Sequence, residues 1–163
     1  MTPKPVRRAG RPSAAQPLDE TAKQIIEQLQ EDGRRPYAAI GKAVGLSEAA
    51  VRQRVQRLLD NGVMQIVAVT DPLQVGFTRQ AMIGVTVDGE IEPVADDLSA
   101  MSEVDYVVVT AGSFDLLVEV VCEDDDHLLE LVSRQIRALP GVRNTETFVY
   151  LKLRKQLYNW GTR

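Results

Sequence analysis

Cysteine and histidine are nearly absent from this chain, which has one of each among its 163 residues, Cys122 and His127. A single cysteine excludes a disulfide framework within one chain, and with one histidine it excludes a cysteine-rich zinc site. No stretch approaches the ~20 apolar residues that a helix needs to cross a bilayer, and the N-terminus lacks the apolar core of a signal peptide. We therefore expect a cytoplasmic protein with no metal, no cofactor and no membrane partner.

Patterns that would indicate catalysis are missing as well. The sequence has no glycine-rich phosphate loop, no nucleophile elbow, and no pairing of cysteine or serine with histidine. Its acidic residues form surface runs rather than an isolated pair. We expect no catalytic residues and a protein that is not an enzyme.

Basic residues are concentrated at one end of the chain, although the net charge is −4. Residues 1–18 carry four basic and no acidic side chains, residues 19–62 carry seven of each, and residues 63–163 carry eight basic and 16 acidic side chains. An acidic half joined to a basic arm suggests two tasks, with anion binding at the N-terminal end.

The first 17 residues are basic and rich in proline and have no aromatic residue, which predicts a flexible arm. Arg8-Ala9-Gly10-Arg11-Pro12 is a candidate for contacting the minor groove of DNA, because arginine is attracted to that narrow, negative groove. The alternative is a solvated tail that adds only non-specific attraction.

Two short helical patterns meet at Val44-Gly45-Leu46-Ser47, as in a helix-turn-helix. Asp19 is the expected N-cap of the first helix, and Gly33 is expected to end it. Pro36 suits the first turn of the second helix, and Ser47 the N-cap of the third. The second helix is predicted to bury Ala39, Ile40, Ala43 and Val44, and the third Val51, Val55, Leu58 and Leu59, up to Asn61-Gly62.

The third helix carries the predicted DNA-binding residues, since its N-terminal part would meet base edges. Arg52 can pair with guanine and Gln53 with adenine, whereas Arg57 is placed to meet phosphate. Arg54 borders the buried stripe, so packing or a salt bridge to the first helix is as good an interpretation as a phosphate contact. The full set is Ser47, Glu48, Ala49, Ala50, Arg52, Gln53, Arg54, Gln56 and Arg57.

Beyond the helix-turn-helix, the pattern predicts a strand over Val63–Thr70, a linker over 72–79, and then a β-α-β-β-α-β order. Strands are expected at about 80–88, 104–111, 114–122 and 142–153, and helices at about 92–101 and 125–139. This order predicts an α+β fold: a four-stranded antiparallel sheet with two helices on one face. The predicted regions are an arm (1–17), a winged-helix-like helix-turn-helix domain (18–63), a strand and linker (64–79), a ferredoxin-like domain (80–153) and a tail (154–163).

The chain after residue 17 resembles the Lrp/AsnC (feast/famine) family of bacterial and archaeal transcription regulators. It departs from the family pattern at Ala22, where aspartate is usual, and at Ile40-Gly41, where Leu-Ala is usual. The resemblance is carried by Leu18-Asp19, Leu29-Gln30, Asp32-Gly33-Arg34, Gly45-Leu46-Ser47, Arg54-Val55, Arg57-Leu58, Gly62-Val63, Gly112-Ser113-Phe114-Asp115 and Thr145-Glu146-Thr147.

The resemblance implies a C-terminal ferredoxin-like module that dimerises and binds a small effector, usually an amino acid, between dimers. It places the effector-binding residues at Thr110, Gly112, Ser113, Phe114 and Asp115. The residues themselves leave alternatives open. A tight hairpin explains Gly112, and Asp115 either accepts the ammonium group of an amino acid or stabilises the turn.

Other polar and aromatic residues have simpler interpretations. Arg134 and Arg137 are expected to pair with nearby acids rather than with an effector carboxylate. His127 is expected to be exposed near a helix start and Cys122 to be a small buried hydrophobe. Tyr158 and Trp160 are expected to pack on a neighbouring subunit.

The leading hypothesis is a sequence-specific, nucleoid-associated transcription regulator of bacterial type. It would bind double-stranded DNA as a dimer or assembly of dimers and respond to a small effector, which we expect to be an amino acid. The alternative is an architectural protein that wraps DNA with little ligand control. A third hypothesis, a small-molecule-binding or catalytic module with a protein-binding N-terminal domain, is disfavoured by the outward-facing Arg and Gln side chains.

Overall fold

The computed structural model of this chain describes residues 18–157, 159, 161 and 162. They form two compact units: one contains the described residues up to Ala68 and from Lys155 onward, and the other contains Val69–Arg154. The predicted basic arm and both Tyr158 and Trp160 lie outside the described residues. Within the part of the chain that is described, no helix is long and apolar enough to cross a bilayer.

Three helices build the first unit: α1 (Glu20–Glu31), α2 (Tyr37–Val44) and α3 (Glu48–Asp60). Asp19 caps α1 by accepting a hydrogen bond from the Ala22 N–H at 2.7 Å, and Ser47 caps α3 by accepting one from the Ala50 N–H at 3.2 Å. Both N-caps are those predicted from the sequence. Gly45 ends α2 with a φ of 72°, a left-handed conformation that glycine adopts without strain.

The three helices pack their apolar faces together into two small clusters. The first contains Ile25, Leu29, Ile40, Val51 and Val55. The second joins Ala22 and Ile26 of α1 to Leu58 of α3. Each of these large aliphatic side chains contributes roughly 1.5–3 kcal/mol when fully buried, so apolar contact between the helices orients α3.

The buried face of α2 differs from the prediction. Ile40 and Gly41 are buried, whereas Ala39 and Ala43 are exposed and Val44 is half-buried. The helix is rotated because the turn after it packs directly on Gly41. A Cβ built on Gly41 would lie 2.5 Å from the carbonyl oxygen of Leu46, so the backbone of the turn occupies the place of a side chain.

No strand forms over Val63–Thr70, so the prediction of a strand was wrong, and no wing follows α3. The backbone of Val63 and Met64 bonds back to the Leu58 carbonyl, and the segment then runs without pairing to any described strand. A strand needs a neighbour for its N–H and C=O groups, and here none is present. Val67 and Val69 consequently remain 67% and 59% exposed.

The second unit has the predicted β-α-β-β-α-β order. Its strands are β1 (Arg79–Val87), β2 (Val104–Val109), β3 (Leu116–Cys122) and β4 (Val142–Val149). They form one antiparallel sheet in the order β2-β3-β1-β4. Helix α4 (Ile91–Ser99) connects β1 to β2, and α5 (Asp125–Glu130) follows β3. The predicted linker contains a 3-10 turn over Pro72–Gln74.

The helix after β3 is not uniform, because α5 continues as a π-helix over Leu131–Ile136. The sequence predicted one regular helix over about 125–139. The wider turn directs both Leu131 and Ile136 into the core, where each is fully buried. Strand β4 ends at Val149, short of the predicted residue 153.

The core of this unit lies between one face of the sheet and the helices. Alternate residues of the strands supply the sheet's side, and the helices supply theirs. The buried set is Ala81, Ile83, Val85, Val94, Leu98, Leu116, Val118, Val120, Cys122, Leu128, Leu131 and Ile136.

None of the helices in the described part of the chain packs on the opposite face of the sheet. Met82 and Phe148 lie side by side on it, as do Tyr106 and Glu119. Tyr106 and Phe148 are 45% and 44% exposed. Aromatic and aliphatic side chains therefore face solvent in a single copy of the chain.

Candidate functional site

The outer surface of α3 contains most of the residues predicted to contact DNA. Seven of the nine predicted residues are exposed, and Ala50 and Arg54 are half-buried. Val51, Val55 and Leu58 point the other way into the core, so the helix presents the predicted polar face. The structure thus brings the nine residues together on one helix and its N-cap.

Arg52 has two neighbours in the free protein. Its Nη2 lies 2.8 Å from Oε1 of Glu48, one turn earlier on the same helix. Its guanidinium carbon lies 5.4 Å from the centre of the Tyr37 ring. Spacing along α3 could have indicated the contact with Glu48. Tyr37 is on α2, and no sequence pattern indicated its contact with Arg52.

Arg54 is engaged within the unit rather than free for phosphate. Its Nη1 lies 2.6 Å from Oδ2 of Asp19, the N-cap of α1. This is the salt bridge to the first helix that the sequence left as one of two alternatives. Hydrogen bonding from Arg54, and then from the Ala22 N–H, lowers the pKa of Asp19. The same carboxylate therefore caps α1 and links it to α3.

The remaining polar residues of α3 divide by their contacts. Gln56 donates to Oδ1 of Asp60 at 2.8 Å. Gln53 and Arg57 are exposed, and within the described residues neither side chain has a hydrogen bond or ion pair. Gln53 and Arg57 can therefore contact DNA without breaking an internal bond.

The predicted effector residues lie in the loop between β2 and β3, in the second unit. The connection spans six residues, 110–115, so it is not the tight hairpin predicted at Gly112. Gly112 lacks a positive φ, and a Cβ built on it would meet nothing within 4 Å. Gly112 and Ser113 are exposed at the tip, whereas Thr110, Phe114 and Asp115 are half-buried.

Asp115 anchors this loop to β1. Its backbone N–H donates to the Val85 carbonyl at 2.9 Å, and its Oδ2 accepts from the Val87 N–H at 2.8 Å. Its carbonyl oxygen accepts from the Thr110 N–H at 2.9 Å, and the Thr110 hydroxyl donates to the Phe114 carbonyl. One carboxylate oxygen of Asp115 thus has a structural role, as the turn-stabilising alternative expects.

Phe114 lies on the helix-free face of the sheet, directly over Gly84. A Cβ on Gly84 would lie 2.6 Å from the ring's Cγ, so the absence of a side chain there makes room for the ring. The Phe148 ring meets Phe114 edge to face, with centroids 6.1 Å apart. The loop is therefore fixed at its end by packing as well as by hydrogen bonds.

A cavity of about 440 Å³ lies elsewhere in this unit, and none of the predicted effector residues line it. His127 lies at its wall, where Nδ1 accepts from the Glu123 N–H at 3.3 Å and Nε2 lies 3.4 Å from Glu103. Burial disfavours the charge of Glu103, but hydrogen bonds from its own backbone, Ser102 and His127 leave its pKa lowered. His127 is half-buried rather than exposed as predicted, because this pairing holds it against the sheet.

Arg134 and Arg137 were predicted to pair with nearby acids, and this prediction was wrong. Neither has a carboxylate within ion-pairing distance among the described residues, and Asp125 pairs instead with Arg79. Cys122 is fully buried as predicted, and burial raises the pKa of its thiol to about 11.

Family models match both units. An AsnC-type helix-turn-helix domain matches residues 18–59. A C-terminal dimeric α+β barrel domain of AsnC-type transcription regulators matches residues 77–163. The two matches cover α1 to α3 and the whole sheet, the elements that carry the candidate DNA-binding and effector-binding residues.

Curated relatives of similar length are transcription regulators. The chain is 34% identical over 142 residues to the HTH-type transcriptional regulator FL11 of Pyrococcus horikoshii, covering 86% of this chain and 93% of that protein. It is 31% identical over 144 residues to the proline dehydrogenase transcriptional activator of Rhizobium radiobacter, covering 85% and 92%. The relatives come from both archaea and bacteria.

Solved structures share the same fold. The leucine response regulatory protein of Mycobacterium tuberculosis aligns with a TM-score of 0.77 at 27% identity, covering 86% of this chain and all of that one. A transcriptional regulator of Neisseria meningitidis in complex with L-Met aligns with a TM-score of 0.75 at 25% identity, covering 88% and 96%.

Proposed function

The chain belongs to the Lrp/AsnC family of helix-turn-helix transcription regulators, and from this we propose that it binds a specific DNA sequence under the control of an amino acid. It is a DNA-binding regulator and not an enzyme, because the family and the relatives that it matches are transcription regulators. The observation that carries the proposal is the outer face of α3, where Arg52, Gln53 and Arg57 are exposed beside a capped N-terminus.

We assign base contacts to Arg52 and Gln53 and phosphate contacts mainly to Arg57 and the arm. Guanidinium and carboxamide groups pair bidentately with guanine and adenine in the major groove. Arg54 has a supporting role, because its contact with Asp19 links α3 to the N-cap of α1. Ser47, Glu48, Ala49, Ala50 and Gln56 complete the proposed DNA surface.

A second copy of the chain is proposed to cover the helix-free face of the sheet. Two features support this: the exposed aromatic side chains on that face, and the description of the matching domain as dimeric. Contiguous apolar surface is usually buried against a partner. The expected assembly is a dimer, or several dimers together.

The effector is proposed to bind at Thr110, Gly112, Ser113, Phe114 and Asp115, at a contact between dimers. The L-Met complex of the Neisseria regulator makes an amino acid the first ligand class to test. Because Gly112 and Ser113 lie exposed at the loop tip, a second dimer can approach them. An effector that binds some assemblies more tightly than others shifts the assembly equilibrium. It thereby changes how many helix-turn-helix units engage one DNA.

Thermal denaturation against each standard amino acid tests the effector proposal. A ligand at 100 times its dissociation constant adds about 2.7 kcal/mol of stability, which appears as a raised Tm. Asp115→Asn keeps an oxygen that can accept from the Val87 N–H but removes the negative charge, whereas Asp115→Ala removes both.

We expect Asp115→Asn to keep the basal Tm and to lose the response to the amino acid. Asp115→Ala should lose the response and also have a lower basal Tm. A full response in Asp115→Asn would show that effector binding does not use the charge of Asp115. The absence of a shift with every amino acid in the wild-type chain would contradict the ligand class.

A further inference from the structure

The guanidinium of Arg52 is enclosed on two sides in the absence of DNA. The guanidinium carbon lies over the Tyr37 ring, 5.4 Å from the ring centre. Glu48 accepts from its edge at 2.8 Å. An arginine in this environment is not a freely rotating side chain, although 66% of it is exposed.

Tyr37 is itself held by the core of the unit. It is the first residue of α2, it is half-buried, and it packs against the cluster of Ile25, Leu29, Ile40, Val51 and Val55. Its ring is therefore a fixed surface, whereas the long side chain of arginine loses up to about 2 kcal/mol of rotamer entropy when it is ordered. A fixed ring that orders the guanidinium before DNA arrives reduces that cost at the moment of binding.

The proposed function is the premise of this inference. We propose that Tyr37 is a positioning residue for base recognition, which holds the guanidinium of Arg52 in place for guanine, while Glu48 occupies the same guanidinium until guanine replaces it. At a base pair without guanine in reach, Arg52 keeps Glu48 and gains no bidentate partner. Tyr37 thus sharpens discrimination rather than adding affinity for all DNA. The contact with Glu48 has to be broken only at guanine, so it lowers the gain there.

The test begins with sites that the wild-type chain selects from a random double-stranded DNA library. The base pair that Arg52 contacts is the one whose preference Arg52→Ala loses, by roughly 5- to 150-fold. Tyr37→Leu keeps an apolar side chain for the core and removes the aromatic face, and Tyr37→Phe keeps the ring and removes the hydroxyl.

We expect Tyr37→Phe to retain the full preference for guanine at that position. Tyr37→Leu should reduce it about 2- to 5-fold, the value of an exposed cation–π contact, with little change in affinity for DNA that lacks the guanine. In the Arg52→Ala background, Tyr37→Leu should reduce the preference no further, because its effect acts through Arg52.

Glu48→Gln tests the same proposal without altering the core. It should raise affinity for the selected site more than for DNA lacking the guanine, because only guanine has to displace Glu48, so that the preference rises. Asp60→Asn is the matched control, because it removes one carboxylate from the other end of α3. It should raise affinity for both DNAs equally through its charge alone.

Three results would overturn the inference. An equal loss on all DNAs in Tyr37→Leu would mean that Tyr37 only supports the fold. A uniform loss with an unchanged salt dependence in Tyr37→Phe would mean that its neutral hydroxyl contacts phosphate. Unchanged guanine preference in both Tyr37→Leu and Glu48→Gln would overturn this inference alone, whereas a wild-type chain that selects no sequence would overturn the proposed function with it.

Discussion

Replacing Gly84 with alanine tests whether Phe114 and its loop are fixed by the sheet. The new methyl group would lie 2.6 to 2.7 Å from Cγ, Cδ1 and Cδ2 of the Phe114 ring. Carbon atoms pack at about 3.5–4.0 Å, so the ring has to retreat by about 1 Å. Because Cγ is the atom nearest the backbone, a rotation of the ring about its own axis does not relieve the contact.

The displaced ring also loses part of its edge-to-face contact with Phe148, a contact of ~0.5–1.5 kcal/mol. Overpacking of this kind costs ~1–3 kcal/mol. We therefore expect Gly84→Ala to lower the free energy of unfolding by about 1–3 kcal/mol, measured by urea titration.

Gly112→Ala is the matched control for this substitution. It makes the same change in the loop between β2 and β3, which also contains Phe114. The new methyl group would meet nothing within 4 Å, and the φ of Gly112 is not positive. Its stability should stay within about 0.5 kcal/mol of the wild type. The cost of Gly84→Ala should shrink in a Phe114→Leu background. An equal cost in both backgrounds would refute the argument from the ring.

Two further predictions concern the helix-free face and a tyrosine at its end. Tyr106→Glu places a charge on that face and should shift a dimer to monomer in sedimentation equilibrium. Leu129→Glu is the control and should not, because Leu129 is 65% exposed on the outer surface of α5. A wild-type monomer at micromolar concentration would contradict the dimer. Burial, together with the charge of Glu119 and a hydrogen bond to it, raises the pKa of Tyr150 to about 12. The folded chain therefore holds this proton more tightly than the unfolded chain, and the stability gained is present below pH ~10 and lost as pH rises toward 12. Tyr150→Phe should remove the component of the tyrosinate absorbance titration near pH 12 and reduce the loss of stability between pH ~10 and 12. An unchanged titration would contradict the raised pKa of Tyr150.

Local signals were sufficient for much of the fold. Asp19 and Ser47 were predicted as N-caps because a side-chain oxygen is needed where the first N–H groups of a helix lack partners. The order of the sheet followed from the alternation of strand and helix patterns. These features depend on residues close together in sequence, so a pattern records them directly.

Features that depend on distant contacts were not predictable in the same way. The Val63–Thr70 segment alternates like a strand but pairs with none of the described strands. The rotation of α2 depends on the Leu46 carbonyl lying where a Cβ of Gly41 would be. The apolar spacing of the π-helical segment is like that of an ordinary helix, so the sequence pattern does not distinguish the two.

The candidate site shows the same division. The polar face of α3 followed from helical periodicity, and six of its members carry the predicted amide, guanidinium or carboxylate groups at exposed or half-buried positions. Helical periodicity did not predict the contacts that order these polar side chains. Tyr37 and Arg52 meet across the helix-turn-helix, and Arg54 reaches Asp19 at the far end of α1.

The central claim is that α3 recognises a sequence and that an amino acid controls this recognition. The most direct measurement is the affinity of the full chain for its selected site and for a scrambled site at one salt concentration, each with and without a mixture of the standard amino acids. We predict binding to the selected site roughly 10³-fold or more tighter than to the scrambled site, and a change of about 5- to 150-fold on adding the amino acids. Equal affinity for both DNAs, unchanged by the amino acids, would contradict the account and favour an architectural protein that wraps DNA.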